Sequence, residues 1–89
     1  MEAEIHIASI VVFVQADHRH SVRSCIEAVP HAEIHADADG KLIVTLETEN
    51  TKRTVAIMDA IRALPGVLDT VLVYQHAEPL SALQEEVQQ

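Results

Sequence analysis

Six histidines, one cysteine and fourteen carboxylates are the groups in this chain that could hold a metal, attack a carbonyl or move a proton. The histidines form two close pairs, His18-x-His20 and His31-x3-His35. A metal needs ligands that converge. Two histidines at i, i+2 in a first helical turn do not converge, and neither does a pair straddling the start of a strand. There is no Cys-x2-Cys, the usual mark of a metal carrier built on a small α+β fold. His18, Arg19 and His20 read instead as a solvent-facing cationic patch. Cys25 falls in the apolar stripe of a helix, so it is expected to be a small buried hydrophobe rather than a nucleophile. No Ser/His/Asp constellation or paired-carboxylate site stands out. Gln15 to Asp17 lacks the glycines and arginine of an anion cradle, and both glycines, Gly40 and Gly66, are used in turns. The expectation is a protein with no catalytic residues, no metal and no cofactor.

Six Lys+Arg against fourteen Asp+Glu leave a net charge of −8. Binding a phosphate backbone requires basic residues that displace counterions, so the charge argues against nucleic acid and none is expected as a partner. An anionic membrane surface is disfavoured for the same reason. A cationic partner fits. The longest apolar stretch, Ile7 to Val14, is far below the ~20 residues that span a bilayer. Met1-Glu2-Ala3-Glu4 is acidic where a secretory leader is basic. One cysteine excludes an internal disulfide. A soluble cytoplasmic protein is the expectation, with no membrane insertion.

Eighty-nine residues make one domain. Ile5 to Val14 is rich in β-branched residues and reads as a strand apolar on both faces. Asp17 is a candidate N-cap for a first helix with the stripe Val22, Cys25, Ile26 and Val29. Pro30 ends that helix. Ala32 to Asp37 is a weaker strand. Asp39-Gly40 suits a two-residue hairpin turn into a return strand, Lys41 to Thr48. Asn50 or Thr51 caps a second helix with the stripe Thr54, Ile57, Met58, Ile61 and Leu64. Pro65-Gly66 stops it, and Val67 to Tyr74 is the last strand. Residues 1–76 form the domain, and 77–89 read as an acidic mobile tail.

The two halves repeat: Ile26, Ala28, Val29 and Pro30 correspond to Ile61, Ala63, Leu64 and Pro65. Interleaving two split βαβ units gives an α+β ferredoxin-like βαββαβ sandwich. Its four-stranded antiparallel sheet has order 4-1-3-2, with both helices on one face.

The other sheet face then has no cover. By strict alternation, Ile10, Val12, Leu42, Val44, Leu46, Val71 and Val73 point to the helices. The uncovered face would hold Ile7, Ser9, Val11, Phe13, Ile43, Thr45, Glu47, Thr70, Leu72 and Tyr74, with Glu33, His35 and Asp37 from the second strand. A greasy centre with an acidic rim marks an interaction surface. It suits either a homodimer stacked sheet on sheet or a peptide with apolar and basic residues. Phe13 and Tyr74 would anchor such a peptide, and Glu33, Asp37 and Glu47 would pair with its charge. A parity error of one residue would swap the faces.

Ser9-Ile10-Val11-Val12, Gly40-Lys41-Leu42-Ile43-Val44, Gly66-Val67-Leu68 and Leu72-Val73-Tyr74, with Pro30 and Glu33, resemble the NapD family of small cytoplasmic maturation chaperones. The likeness runs from about Ile7 to His76. It implies a ferredoxin-like chaperone with no metal and no catalytic activity. Its partner would be the twin-arginine signal peptide of the periplasmic nitrate reductase catalytic subunit, lying as a helix against the sheet. Export would be delayed until the molybdenum cofactor is inserted. The residues expected to bind the peptide are Ser9, Val11, Phe13, Glu33, Asp37, Ile43, Thr45, Glu47, Leu72 and Tyr74, on a monomer or weak homodimer. The alternative is a small-molecule regulatory module of the same fold. Such modules carry a glycine-containing loop after the first strand and sit beside a catalytic domain, and this chain has neither feature.

Overall fold

The computed structural model describes residues 4–79. Strand β1 spans Glu4–Val14 and leads through a 3-10 turn at Ala16–His18 into helix α1, Arg19–Glu27. Strands β2, Ala32–Ala38, and β3, Lys41–Thr48, form a hairpin. Helix α2, Thr51–Arg62, and strand β4, Val67–Pro79, complete the element order. The four strands form one sheet in the order β2-β3-β1-β4, which is the expected arrangement read from the opposite edge. All pairings are antiparallel.

Local chemistry accounts for the joints. Asp39 and Gly40 both take positive φ, 55° and 74°, as a tight hairpin turn requires. Asn50 caps α2, its side-chain oxygen accepting from the Arg53 amide at 2.8 Å. Asp17 does not cap α1. It lies inside the 3-10 turn, and His18 takes the cap position without a side-chain bond. Ser21 Oγ donates to the His18 carbonyl instead.

The core lies between the sheet and the helices. Ile10, Val12 and Val14 of β1 and Leu42, Val44 and Leu46 of β3 meet Val22 and Ile26 of α1 and Met58 and Ile61 of α2. Cys25 departs from expectation and is exposed. Val22 and Ile26, one turn apart, take the inward positions. Cys25 sits on the flank of the stripe and lines a groove of about 430 Å³ between the helices, with Ala56, Ala60 and Leu64.

Thr54 is 1% exposed, and its hydroxyl lies 2.6 Å from that of Thr48. Both hydroxyls also reach the Asn50 carbonyl, Thr48 at 3.0 Å and Thr54 at 3.3 Å. This ties the end of β3 to the first turn of α2. Thr54→Val keeps the volume but removes one member of the set, and Thr48 retains its carbonyl acceptor. The expected loss is about 1 kcal/mol in urea unfolding.

Strand β4 outruns its predicted end. Ala77, Glu78 and Pro79, assigned to the tail by the sequence, pair with His6, Ile5 and Glu4. The acidic, Gln-rich composition that suggested a tail begins inside the ladder, because an edge strand tolerates polar residues and a terminal proline. Residues 80–89, the rest of that expected tail, lie outside the described residues.

Candidate functional site

Directly paired residues of antiparallel strands point to the same side. Ala8, Ile10 and Val12 are fully buried beneath the helices, so Ile7, Ser9, Val11 and Phe13 face the other way. Both helices cover one side, so this second face is open among the described residues. The ladder registers place its members in rows. Glu78 stands beside Ile5, and His76, Ile7 and Glu47 share the next row. Tyr74, Ser9, Thr45 and Glu33 follow, and after them Val71, Val11, Ile43 and Ala36. The last row is Asp69, Phe13, Lys41 and Ala38.

The face is therefore polarised. Glu78 and Glu47 stand at one end, and Glu33 lies at the edge of the next row. A polar row of Ser9, Thr45 and Tyr74 comes next. Val71, Val11, Ile43 and Phe13 fill the other half, where the Lys41 ammonium lies 5.9 Å from the centre of the Phe13 ring. From Ile5 to Phe13 the strand rise gives a length of about 27 Å.

Eight of the ten residues expected to bind lie here: Ser9, Val11, Phe13, Glu33, Ile43, Thr45, Glu47 and Tyr74. Asp37 and Leu72 do not. Asp37 pairs with the buried Leu42, and Leu72 pairs with the buried Ile10. Thr70, also expected on this face, pairs with Val12 and is 2% exposed. Val71, assigned to the helices, faces out opposite Val11.

The cause is a set of bulges. The register of β2 against β3 slips between Ile34 and Ala36, leaving His35 as the extra residue. The register of β4 against β1 slips between Tyr74 and Leu72, with Val73 extra, and again at Leu68. Each inserted residue reverses the alternation beyond it. Val73, also assigned to the helix side, is such an insertion and is 64% exposed. His35 stays with the open face, its Nε2 lying 2.7 Å from the Thr45 hydroxyl.

Asp37 has a different partner. Arg23 of α1 donates to its Oδ2 at 2.8 Å, and Arg19 approaches Oδ1 at 3.9 Å. The hydrogen bond to Asp37 is the main force raising the Arg23 guanidinium above its ordinary value. Partial desolvation opposes it, and the charges of Glu27 and Asp37 add to it. This cluster clamps α1 to β2. Asp69 is also occupied, by the Arg62 guanidinium at 3.7 Å and the Thr70 amide at 2.8 Å. The carboxylates of Glu33 and Glu47 make no ion pair within 4.0 Å among the described residues.

The sequence reading missed Val71, His76 and Glu78 on this face. Strict alternation hides Val71, and the early end given to β4 hides the other two. The His76 ring stacks on Tyr74, with centroids 6.2 Å apart, and its Nε2 lies 2.7 Å from Glu78 Oε1. Among the described residues no three His, Cys, Asp or Glu side chains are placed to share a metal. No helix there is long and apolar enough to cross a membrane.

Comparison with known proteins places this geometry. Residues 5–79 match the family described as NapD protein. Chaperone NapD of Escherichia coli strain K12 is 29% identical over 80 residues, covering 88% of this chain and 92% of that protein. Chaperone NapD of Shigella flexneri matches to the same extent. The solution structure of the E. coli Tat proofreading chaperone protein NapD superposes with a TM-score of 0.75 at 26% identity, covering 83% of this chain and 80% of that one. With the family model matching residues 5–79 and the fold superposing on that relative, the chain belongs to the NapD family of chaperones.

Proposed function

We propose that this chaperone binds the twin-arginine signal peptide of a periplasmic nitrate reductase catalytic subunit. It does so in the cytoplasm, delaying export until the molybdenum cofactor is inserted. The observation that carries the reading is the polarity of the open face. A twin-arginine signal has two adjacent arginines followed by an apolar run. Glu47 and Glu33, in adjacent rows and without an ion pair among the described residues, offer carboxylates that suit the forked guanidinium. Val11, Ile43, Val71 and Phe13 offer apolar surface toward the far end. A helix of about 18 residues spans the roughly 27 Å of this face at 1.5 Å per residue. Ordering the peptide costs free energy, and apolar burial at about 25 cal/mol per Å² offsets it. The relative described as a Tat proofreading chaperone supports the same partner class.

The test is a titration of the protein with such a peptide, followed by amide chemical shifts. Shifts are expected at Ser9, Val11, Thr45, Glu47 and Tyr74, with the helices nearly silent. Replacing the two arginines by lysines is expected to weaken binding, because ammonium lacks the fork. Unchanged spectra at millimolar peptide would refute the reading. A small-molecule regulatory role would give shifts with free amino acids instead.

A further inference from the structure

Six large apolar residues stand well exposed among the described residues: Val55, Leu68, Val71, Leu72, Val73 and Tyr74. Five belong to β4, an edge strand of the sheet. The sixth stands over them. Thr51, Val55 and Arg62 fall on one stripe of α2. The Thr51 hydroxyl accepts from the Gln75 side chain at 2.8 Å, and Arg62 donates to the Thr70 carbonyl at 2.6 Å. Val55, between Thr51 and Arg62, therefore lies over the stretch of β4 between Gln75 and Thr70. Leu72 pairs with the buried Ile10 and so points to the helix side, yet it is 42% exposed. Val73, the inserted residue of the bulge, follows it. A continuous apolar strip thus begins at Val71 and Tyr74 on the rim of the open face, rounds the sheet edge through Leu72 and Val73, and reaches Val55.

The peptide-binding role proposed above does not use the helix side of this strip. Natural sheet edges are normally blunted by charge. The opposite edge, β2, follows that rule with Glu33 and Asp37, and none of the six residues lies on it. From Thr70 to Gln75, β4 carries no charge, in a chain of net charge −8. Free backbone is not what it offers. The Thr70 amide donates to Asp69, its carbonyl is held by Arg62, and the bulge at Val73 interrupts the ladder. The strip is a side-chain surface of the kind that marks a protein contact.

We infer that a second copy of this chain docks on the strip, in a two-fold dimer that sets α2 beside α2 and β4 beside β4. Charge at the two ends selects this occupant and its orientation. Lys52 flanks Val55 toward the Thr51 end. Asp59 flanks it toward the Arg62 end, where Asp59 and Asp69 together outnumber the one guanidinium between them. One end is therefore net positive and the other net negative. A two-fold axis along the sheet normal, passing near Leu72 and Val73, lays the strip antiparallel to itself. The Lys52 end of each copy then meets the Asp59 end of the other, and apolar side chains meet in the middle. Parallel packing would bring like charges together. The contact is isologous, so association closes at two copies. Both open faces look to the same side and stay uncovered.

The experiment is sedimentation equilibrium of the full chain from micromolar to millimolar concentration, without peptide. Wild type is expected to move from the mass of one chain toward twice that mass. Val73→Glu and Val73→Lys, each at a position 64% exposed, should associate more than tenfold more weakly, because like charges meet near the axis. An equimolar mixture of the two should recover association, since a carboxylate then faces an ammonium. Val11→Glu, on the open face, should associate as wild type does. Far-ultraviolet circular dichroism checks that each variant is folded. Wild type that stays monomeric at millimolar concentration, or Val73→Glu that associates as wild type does, overturns the inference. Association lost in Val11→Glu and kept in Val73→Glu would mean that the copies stack by their open faces, and overturns it too. A mixture that stays monomeric overturns the two-fold placement of the strip. No arm contains peptide, so each of these results leaves the peptide reading where it stands.

Discussion

Gly66→Ala is expected to cost about 2–5 kcal/mol, one of the largest losses from a single methyl group in this molecule. Two independent penalties combine. Gly66 has φ +89°, a region where a side chain costs roughly 1–2 kcal/mol. A Cβ built there would also lie 2.1 Å from His18 Cβ and 2.3 Å from its Cγ. Those atoms are close to the backbone of the turn before α1, so they cannot swing aside. Overpacking of this kind costs about 1–3 kcal/mol. The same glycine carbonyl accepts from the Gln15 amide at 2.8 Å, so a shift would disturb the end of β1. At about 4–8 °C per kcal/mol for a domain of this size, the melting temperature should fall by about 8 °C or more. His18→Gly in the same chain removes the collision but leaves the φ cost, so it should recover part of the loss and no more. Additive losses in the double variant would mean that the two residues do not touch.

This contact also shows what a single sequence conceals. The repeat places His31 after Pro30 where Gly66 follows Pro65. His31 takes the left-handed conformation too, with φ 63°. The sequence marked both helix ends correctly from proline, but only the fold reveals that His18 fills the space a side chain at 66 would need. Topology, the hairpin turn, the Asn50 cap and the facing of β1 and β3 were all legible. Central strands with unbroken alternation make parity readable. Strands β2 and β4 lie at the edges, where bulges are tolerated, and a bulge leaves no mark on an apolar/polar pattern. Thus Asp37 and Leu72 were placed on the wrong side, and Val71 was missed. Cys25 was misplaced for a simpler reason: a stripe at i, i+3, i+4 is wider than the strip of helix that the sheet can cover.

The corrected facing separates two acidic residues that the sequence treated alike. Glu47 stands in the row of Ile7 and His76 on the open face, while Asp37 is held by Arg23 and Arg19 against α1. Reversing two open-face carboxylates that make no ion pair among the described residues, Glu33→Lys with Glu47→Lys, is expected to weaken a twin-arginine peptide about a hundredfold at low salt. That corresponds to roughly 1.4 kcal/mol per reversal. The loss should shrink at high salt, since the screening length falls from about 10 Å at 0.1 M to about 3 Å at 1 M. Neither residue is buried, so the melting temperature should barely move. Asp37→Asn should do the opposite. It weakens the clamp between α1 and β2 and lowers the melting temperature by a few degrees, yet leaves the peptide's dissociation constant unchanged. A double measurement of stability and affinity on these variants thus reads the two faces separately. Loss of affinity in Asp37→Asn equal to that of the lysine variant would place the arginines at the α1 edge of the sheet and not across its open face. In that case Arg23 would have to surrender its partner to the peptide, and binding would carry a stability cost that a thermal scan with peptide present would register.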